Sequence, residues 1–165
     1  MLRIFRFAIL YSISIGISLP HAIAESFSAT VVGVSDGDTI TVLSNARQFK
    51  LRLTNIDCPE KSQAFGKRAK HFTSDLAFGK TVLVQGHGTD LYGRIKAEVI
   101  LPGGLSLNKS LVSEGYAWCY RKYCDDPSYF TREEEAHRLR LGLWSQGDPV
   151  APWTYRKLRR RHRSH

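Results

Sequence analysis

The chain has 165 residues, 42% of them hydrophobic and 24% charged, with a formal net charge of +9 at pH 7. That length supports one domain with its own core and is short for two. Its three cysteines form no C-x-x-C and no two of its six histidines stand at i, i+4, which argues against a structural zinc site.

Arg3 and Arg6 precede an almost wholly apolar stretch, 7–19, which Pro20 ends before Ala22-Ile23-Ala24. This is the pattern of a secretory signal peptide, with cleavage expected after Ala24. The alternative, a membrane anchor, would need about 20 apolar residues. No Cys follows the run, which argues against a lipid anchor. The expected organisation is a signal peptide at 1–24, one domain at 25–150 and a basic tail at 151–165, in a secreted or periplasmic protein. Once Arg3 and Arg6 are set aside, the remaining Lys and Arg still exceed the 15 Asp and Glu by seven. Such a surplus favours polyanionic partners through attraction and counterion release, though it identifies none by itself. A monomer without a stable protein partner is expected, with no membrane association after cleavage.

From Phe27 the chain reads as short strands broken by turns. The stretch 27–35 alternates and is rich in Val and Thr, and Asp36-Gly37 signals a hairpin. Strands follow at 39–43 and 48–54, the latter with Phe49, Leu51 and Leu53 on one face and Arg52 on the other. The stretch 64–78 is the clearest helix, with Phe65, Ala69, Phe72 and Leu76 on one side and Gly79 as its stop. Two further strands are predicted at 81–85 and 95–101, then helices at 107–114 and 127–141, the last with Asp126 as N-cap and Pro127 at the first helical position. Three strands, a helix, two strands and then helices is the order that an α+β OB-fold, a five-stranded Greek-key barrel with three helices, requires, and other small α+β folds share it. The end, 156–165, is cationic without an apolar face and is predicted to be a disordered tail, either inert or a tether to nucleic acid.

Four acids and two arginines fall at strand ends and in adjoining loops: Asp36, Asp38, Arg52, Asp57, Glu60 and Arg94. Pairing the first three strands would bring Asp38 close to Asp57, and two carboxylates at one rim repel unless a hard cation lies between them. Arg52 and Arg94 could then clamp a phosphate, leaving Glu60 to orient or deprotonate the attacking water. Each residue also has an ordinary reading, since Asp-Gly-Asp suits any tight turn and Arg52 could be a surface charge. An EF-hand starting at Asp36 is excluded, because its sixth and twelfth positions are Thr41 and Arg47 rather than Gly and Glu.

Three blocks carry a specific resemblance: Val31-Val32-Gly33-Val34-Ser35-Asp36-Gly37-Asp38-Thr39, Leu51-Arg52-Leu53-Thr54-Asn55-Ile56-Asp57-Cys58-Pro59-Glu60, and Asp90-Leu91-Tyr92-Gly93-Arg94. With the segments 107–117 and 142–144 they resemble, in order, the signature of the staphylococcal nuclease (thermonuclease) family. The resemblance implies an OB-fold barrel and a calcium-dependent endonuclease acting on DNA and RNA, with products ending in 3′-phosphate. It implies Asp38, Asp57 and the main-chain carbonyl of Cys58 as Ca2+ ligands, Arg52 and Arg94 as phosphate-binding arginines, and Glu60 as the acid assigned to activating water. Asp36 matches an acid behind the ligands, and Tyr92 a tyrosine of the nucleotide pocket. Cys58 stands where the best-known member has Thr, which leaves a carbonyl ligand intact, and Leu91 replaces a basic residue often found beside the phosphate.

Tyr120 and Tyr123 could stack on bases or pack in the interior; Tyr123 is carried forward as a candidate substrate contact. Asn108-Lys109-Ser110 has the form of a glycosylation sequon, but its place in a predicted helix favours a structural Asn. An oxidising compartment would permit one disulfide, and Cys119 and Cys124 are the nearer pair. A catalytically silent OB-fold binding module is the alternative function. The complete set Asp38, Arg52, Asp57, Glu60 and Arg94 weighs against it, because acids facing a phosphate path repel nucleic acid without a metal.

Overall fold

A computed structural model describes residues 26–163. The signal peptide expected at 1–24 lies outside the described residues. Strands β1 (Ser26–Asp36), β2 (Thr39–Ser44), β3 (Arg47–Leu53), β5 (Thr81–Thr89) and β6 (Ile95–Ile100) close a barrel in the order β1-β2-β3-β6-β5. A short β4 (Ile56–Asp57) pairs instead with β7 (Trp118–Cys119) outside the barrel. The neighbours β1–β2, β2–β3, β1–β5 and β5–β6 are antiparallel, whereas β3–β6 is parallel, with Leu51 opposite Ile95. The five-stranded barrel expected from the strand spacing is the one observed.

Alternation along each strand decides which row enters the barrel. Val31, Ile40, Val42, Leu51, Leu53, Val84, Ala97 and Val99 are buried together, which leaves the opposite rows to the rim and the solvent. Helix α1 (Gly66–Ala77) covers this core with Ala69, Thr73 and Ala77, and α2 (Leu107–Ser113) with Leu107, Leu111 and Val112. Helix α3 (Pro127–Arg138) packs on α2 and starts as the sequence indicates, with the Asp126 carboxylate accepting from Ser128 N at 2.8 Å. Asn108 is fully buried: its carbonyl oxygen accepts from Val99 N and its amide donates to the Thr54 and Ala97 carbonyls, each at 3.1 Å. It joins β6 to the end of β3, so the structural reading of the sequon holds.

The predicted disordered tail is a correction. Residues Pro152–His162 form a fourth helix, α4, with Pro152 in its first turn, so the barrel carries four helices rather than three. Composition hid it because seven of its eleven residues are Arg, Lys, His or Thr, leaving Trp153, Tyr155 and Leu158 as a sparse apolar pattern. Its stability comes from docking, as expected for a short helix. The Trp153 ring stacks on Tyr120 at 5.2 Å between centroids and meets Trp118 edge-on, and Tyr155 Oη donates to the Ser62 carbonyl at 3.1 Å. The sequence also missed β4 and β7, which are two residues each, and extended the α3 prediction three residues past its observed end.

Cys119 and Cys124 are free thiols with their sulfurs in contact at 2.7 Å, while Cys58 is buried elsewhere, against the hairpin turn. In an oxidising compartment the contacting pair is expected to close. Thiol titration of the denatured, unreduced protein recovered from an oxidising compartment should then find one free thiol, that of Cys58; three would show that the pair stays reduced.

Candidate active site at the barrel rim

The site begins with the β1–β2 turn. Gly37 and Asp38 bridge the paired residues Asp36 and Thr39, and the Asp38 carbonyl accepts from Leu53 N at 2.9 Å, which seats the turn against the end of β3. A side chain at Gly37 would place its Cβ 2.8 Å from Cys58 Sγ and 2.9 Å from Ala69 Cβ, so glycine is required by the close approach. Thr73 Oγ1 donates to the Gly37 carbonyl at 2.6 Å and fixes the same turn to α1. Asp57 arrives from the other side on β4, held by its pairing with Trp118 of β7. Glu60 follows in a loop on which α1 starts: a Cβ at Gly66 would lie 1.9 Å from the Glu60 carbonyl oxygen. Turn, bridge and helix start therefore deliver three acids to one rim.

Arg52 joins two of them. Its guanidinium pairs through Nη1 with Asp38 Oδ1 and through Nη2 with Asp57 Oδ1, the latter at 2.7 Å. The two aspartates are 5% and 1% exposed, so their charges are almost out of water. Buried carboxylates require paired charge and hydrogen bonds. Asp38 gains both: Cys58 N donates to Oδ2 at 2.7 Å and Thr39 Oγ1 to Oδ1 at 3.1 Å. This juxtaposition is the one the strand pairing called for.

The other charges divide. Arg156, which nothing in the sequence marked, reaches the site from α4 and pairs with Asp57 Oδ2 at 2.7 Å and Glu60 Oε1 at 2.8 Å. Burial works against its charge, but the hydrogen bonds to Asp57 and Glu60 outweigh it and raise its pKa. Arg94 is not in direct contact with the aspartates. It lies in the β5–β6 loop, where Nη2 pairs with Asp90 Oδ2 at 2.7 Å and Nε donates to the same oxygen. Its backbone precedes Ile95, the partner of Leu51, so it stands at the same end of β3–β6 as Arg52. Tyr92, 83% exposed, lies beside Arg94, whose Cζ is 5.3 Å from the ring centroid. Tyr123 is exposed at the edge of Tyr120, whose ring is covered by Trp153 rather than open to a base. A shallow hollow of about 440 Å³ next to Glu60 is lined in part by Lys61, Lys67 and Arg68.

The donor set suits a hard cation better than zinc, being made of carboxylate and main-chain oxygens. Among the described residues no three His, Cys, Asp or Glu side chains converge as a metal cluster. Asp38 and Asp57 are the two carboxylates that Arg52 brings together at this rim. Asp36 adds a sign of incompleteness: its Oδ1 is buried with no hydrogen-bond partner. Burial raises its pKa against the pull of Lys61, and the nearby Glu60 charge raises it further. An unsatisfied carboxylate oxygen behind two paired ones fits a rim arranged for one more positive or hydrogen-bonding species.

A closed five-stranded barrel of this strand order, with helices packed on it, is an α+β OB-fold. The family model described as staphylococcal nuclease homologue matches residues 50–146. The chain is 43% identical over 126 residues to an uncharacterized endonuclease of Escherichia coli, covering 76% of this chain and 82% of the relative. It is 40% identical over 134 residues to an uncharacterized endonuclease of Haemophilus influenzae, covering 81% of this chain and 75% of the relative. It is 42% identical over 141 residues to a micrococcal nuclease of Shigella flexneri, covering 79% and 81%. The chain belongs to the staphylococcal nuclease family.

Removing Arg52 would leave Asp38 without its ion pair and Asp57 with one guanidinium instead of two. Arg52→Ala is expected to lose about 3 kcal/mol or more of stability in chelator, the usual cost of breaking a buried pair. Urea denaturation in EDTA measures this, and a variant as stable as the parent would show that the guanidinium is not what neutralises the two acids.

Proposed function

We propose that the protein is an exported, calcium-dependent endonuclease that hydrolyses phosphodiester bonds of DNA and RNA and leaves 3′-phosphate ends. The observation that carries this reading is the sharing of one guanidinium by two buried aspartates, Asp38 and Asp57, at a solvent-facing rim. The residues that would hold calcium are Asp38, Asp57 and the Cys58 carbonyl, and calcium there supplies positive charge to the phosphate oxygens and to an incoming water.

The chain's own groups account for the rest. Arg52, anchored on both aspartates, presents a fixed charge where a phosphate would enter, and such preorganised charge stabilises the crowded pentavalent state more than the ground state. Arg94 is held by Asp90 at the neighbouring loop and would take a second phosphate oxygen by exchanging one partner for another. Tyr92 offers an exposed ring beside it for the nucleotide. Glu60, half-buried and linked to Asp57 through Arg156, would orient or deprotonate the attacking water. Asp36, behind the ligands, would hold the surrounding water through its unsatisfied oxygen.

A silent binding module has less support, because a surface selected only for polyanions would not bury acids at the contact. The exposed cations of α4, Lys157, Arg159 and Arg161 among them, extend the basic surface away from the rim and suit non-specific attachment to the strand. Action outside the cytoplasm, in a periplasm or the medium, follows from the leader read in the sequence. We take the working unit to be the monomer.

Circular single-stranded DNA offered to mature protein tests the reading, since loss of intact circles requires an internal cut. Cleavage is expected with calcium, none in EDTA, and Arg94→Ala should cut about 10²–10³-fold more slowly, the scale of losing one preorganised charge. Robust cleavage in chelator would contradict the metal assignment, and near-normal turnover by Arg94→Ala would remove it from the phosphate clamp.

A further inference from the structure

Arg156 holds the side of the site that a metal ion would need. Both Asp57 oxygens are covered: Oδ1 by Arg52 Nη2 at 2.7 Å and by Arg156 Nη1 at 3.2 Å, and Oδ2 by Arg156 Nη2 at 2.7 Å. The same Nη1 donates to Glu60 Oε1 at 2.8 Å, so one guanidinium spans the proposed ligand and the proposed water-activating acid. A calcium ion binds carboxylate oxygen at about 2.3–2.6 Å. An ion at that distance from Asp57 and a guanidinium already seated on the same oxygens would be two cations competing for one carboxylate.

Arg156 is the ion-pair anchor of α4 on the acids; beside it Trp153 stacks on Tyr120 and meets Trp118 edge-on, and Tyr155 and Arg159 bond to Ser62 in the exposed loop after Glu60. Displacing Arg156 removes the ion pairs that tie α4 to Asp57 and Glu60. Arg52, on a barrel strand paired on both edges, also covers Oδ1 of each aspartate, whereas Asp57 Oδ2 is covered by Arg156.

We propose that Arg156 is a displaceable internal counter-ion, so that α4 latches the metal site closed and a divalent cation loads by expelling it from Asp57 and Glu60. The inference rests on the metal reading above and adds a coupling to it. Metal loading and α4 docking oppose each other, and by linkage each weakens the other by the same factor. The latch keeps the buried Asp57 and the half-buried Glu60 neutralised while the protein is metal-free. Loading frees Glu60 for water and gives α4, with its exposed Lys157, Arg159 and Arg161, the freedom to follow a nucleic-acid strand.

Calcium titration calorimetry on the mature chain and on Arg156→Gln, with amide hydrogen exchange of the unaltered protein, tests this without reading activity. Arg156→Gln should bind calcium at least about tenfold more tightly, within the range usual for site-to-site coupling, and calcium should speed exchange across 152–163 in the unaltered protein. Equal or weaker calcium binding by Arg156→Gln, or exchange across 152–163 unchanged by saturating calcium, would overturn the latch while leaving the metal site standing. Failure of both proteins to bind calcium would overturn the metal reading as well. The exchange measurement needs no variant, so a folding defect in Arg156→Gln does not leave the proposal unanswered.

Discussion

Two carboxylates out of water within reach of one guanidinium is a costly arrangement, and the surrounding structure is arranged around that cost. Asp38 and Asp57 come from separate elements, a hairpin turn and an isolated two-residue strand, and electrostatics alone would drive them apart. They stay together because the backbone gives neither a choice. The turn is pinned by Leu53 N on the Asp38 carbonyl, by Thr73 on the Gly37 carbonyl and by the close fit of Gly37 to Cys58 and Ala69. Asp57 is pinned by β7. Folding energy taken from the apolar barrel thus holds like charges in one place, where a cation becomes the natural complement.

The division of labour among the cations follows from where each is mounted. Arg52 belongs to a central strand and is as rigid as the barrel. Arg94 stands on a loop whose neighbours Leu91 and Tyr92 are largely in solvent, and it is held there by a partly buried ion pair with Asp90. Arg156 stands on the last helix, α4, outside the barrel. Arg52 and Arg156 therefore meet at Asp57 from a barrel strand and from the last helix, while Arg94 stands on a neighbouring loop.

Much of this was legible in the chain because periodicity and punctuation were strong there. Alternation in β1 to β3 put Leu51 and Leu53 inward and Arg52 outward, and Asp-Gly-Asp marked the turn that supplies Asp38. The α1 pattern and the Asp126-Pro127 helix start were equally plain. What stayed hidden was carried by contacts without local pattern. Two-residue strands such as β4 and β7 have no period to detect, yet they place Asp57. Helix α4 was hidden by its charge: it is held by Trp153 and by an ion pair 99 residues distant in sequence, neither of which a window of sequence can register. Proline after Ala151 and the spacing of Trp153 and Tyr155 were the available signals, and the run of arginines outweighed them.

The central physical claim is that Asp38 and Asp57 together form one cation site. The calcium-induced rise in melting temperature measures it directly, because an ion that binds the folded chain alone raises stability by mass action. The unaltered protein should melt higher in millimolar calcium than in EDTA, and Asp38→Asn and Asp57→Asn should each abolish that rise. A rise of undiminished size in either variant would contradict the shared site.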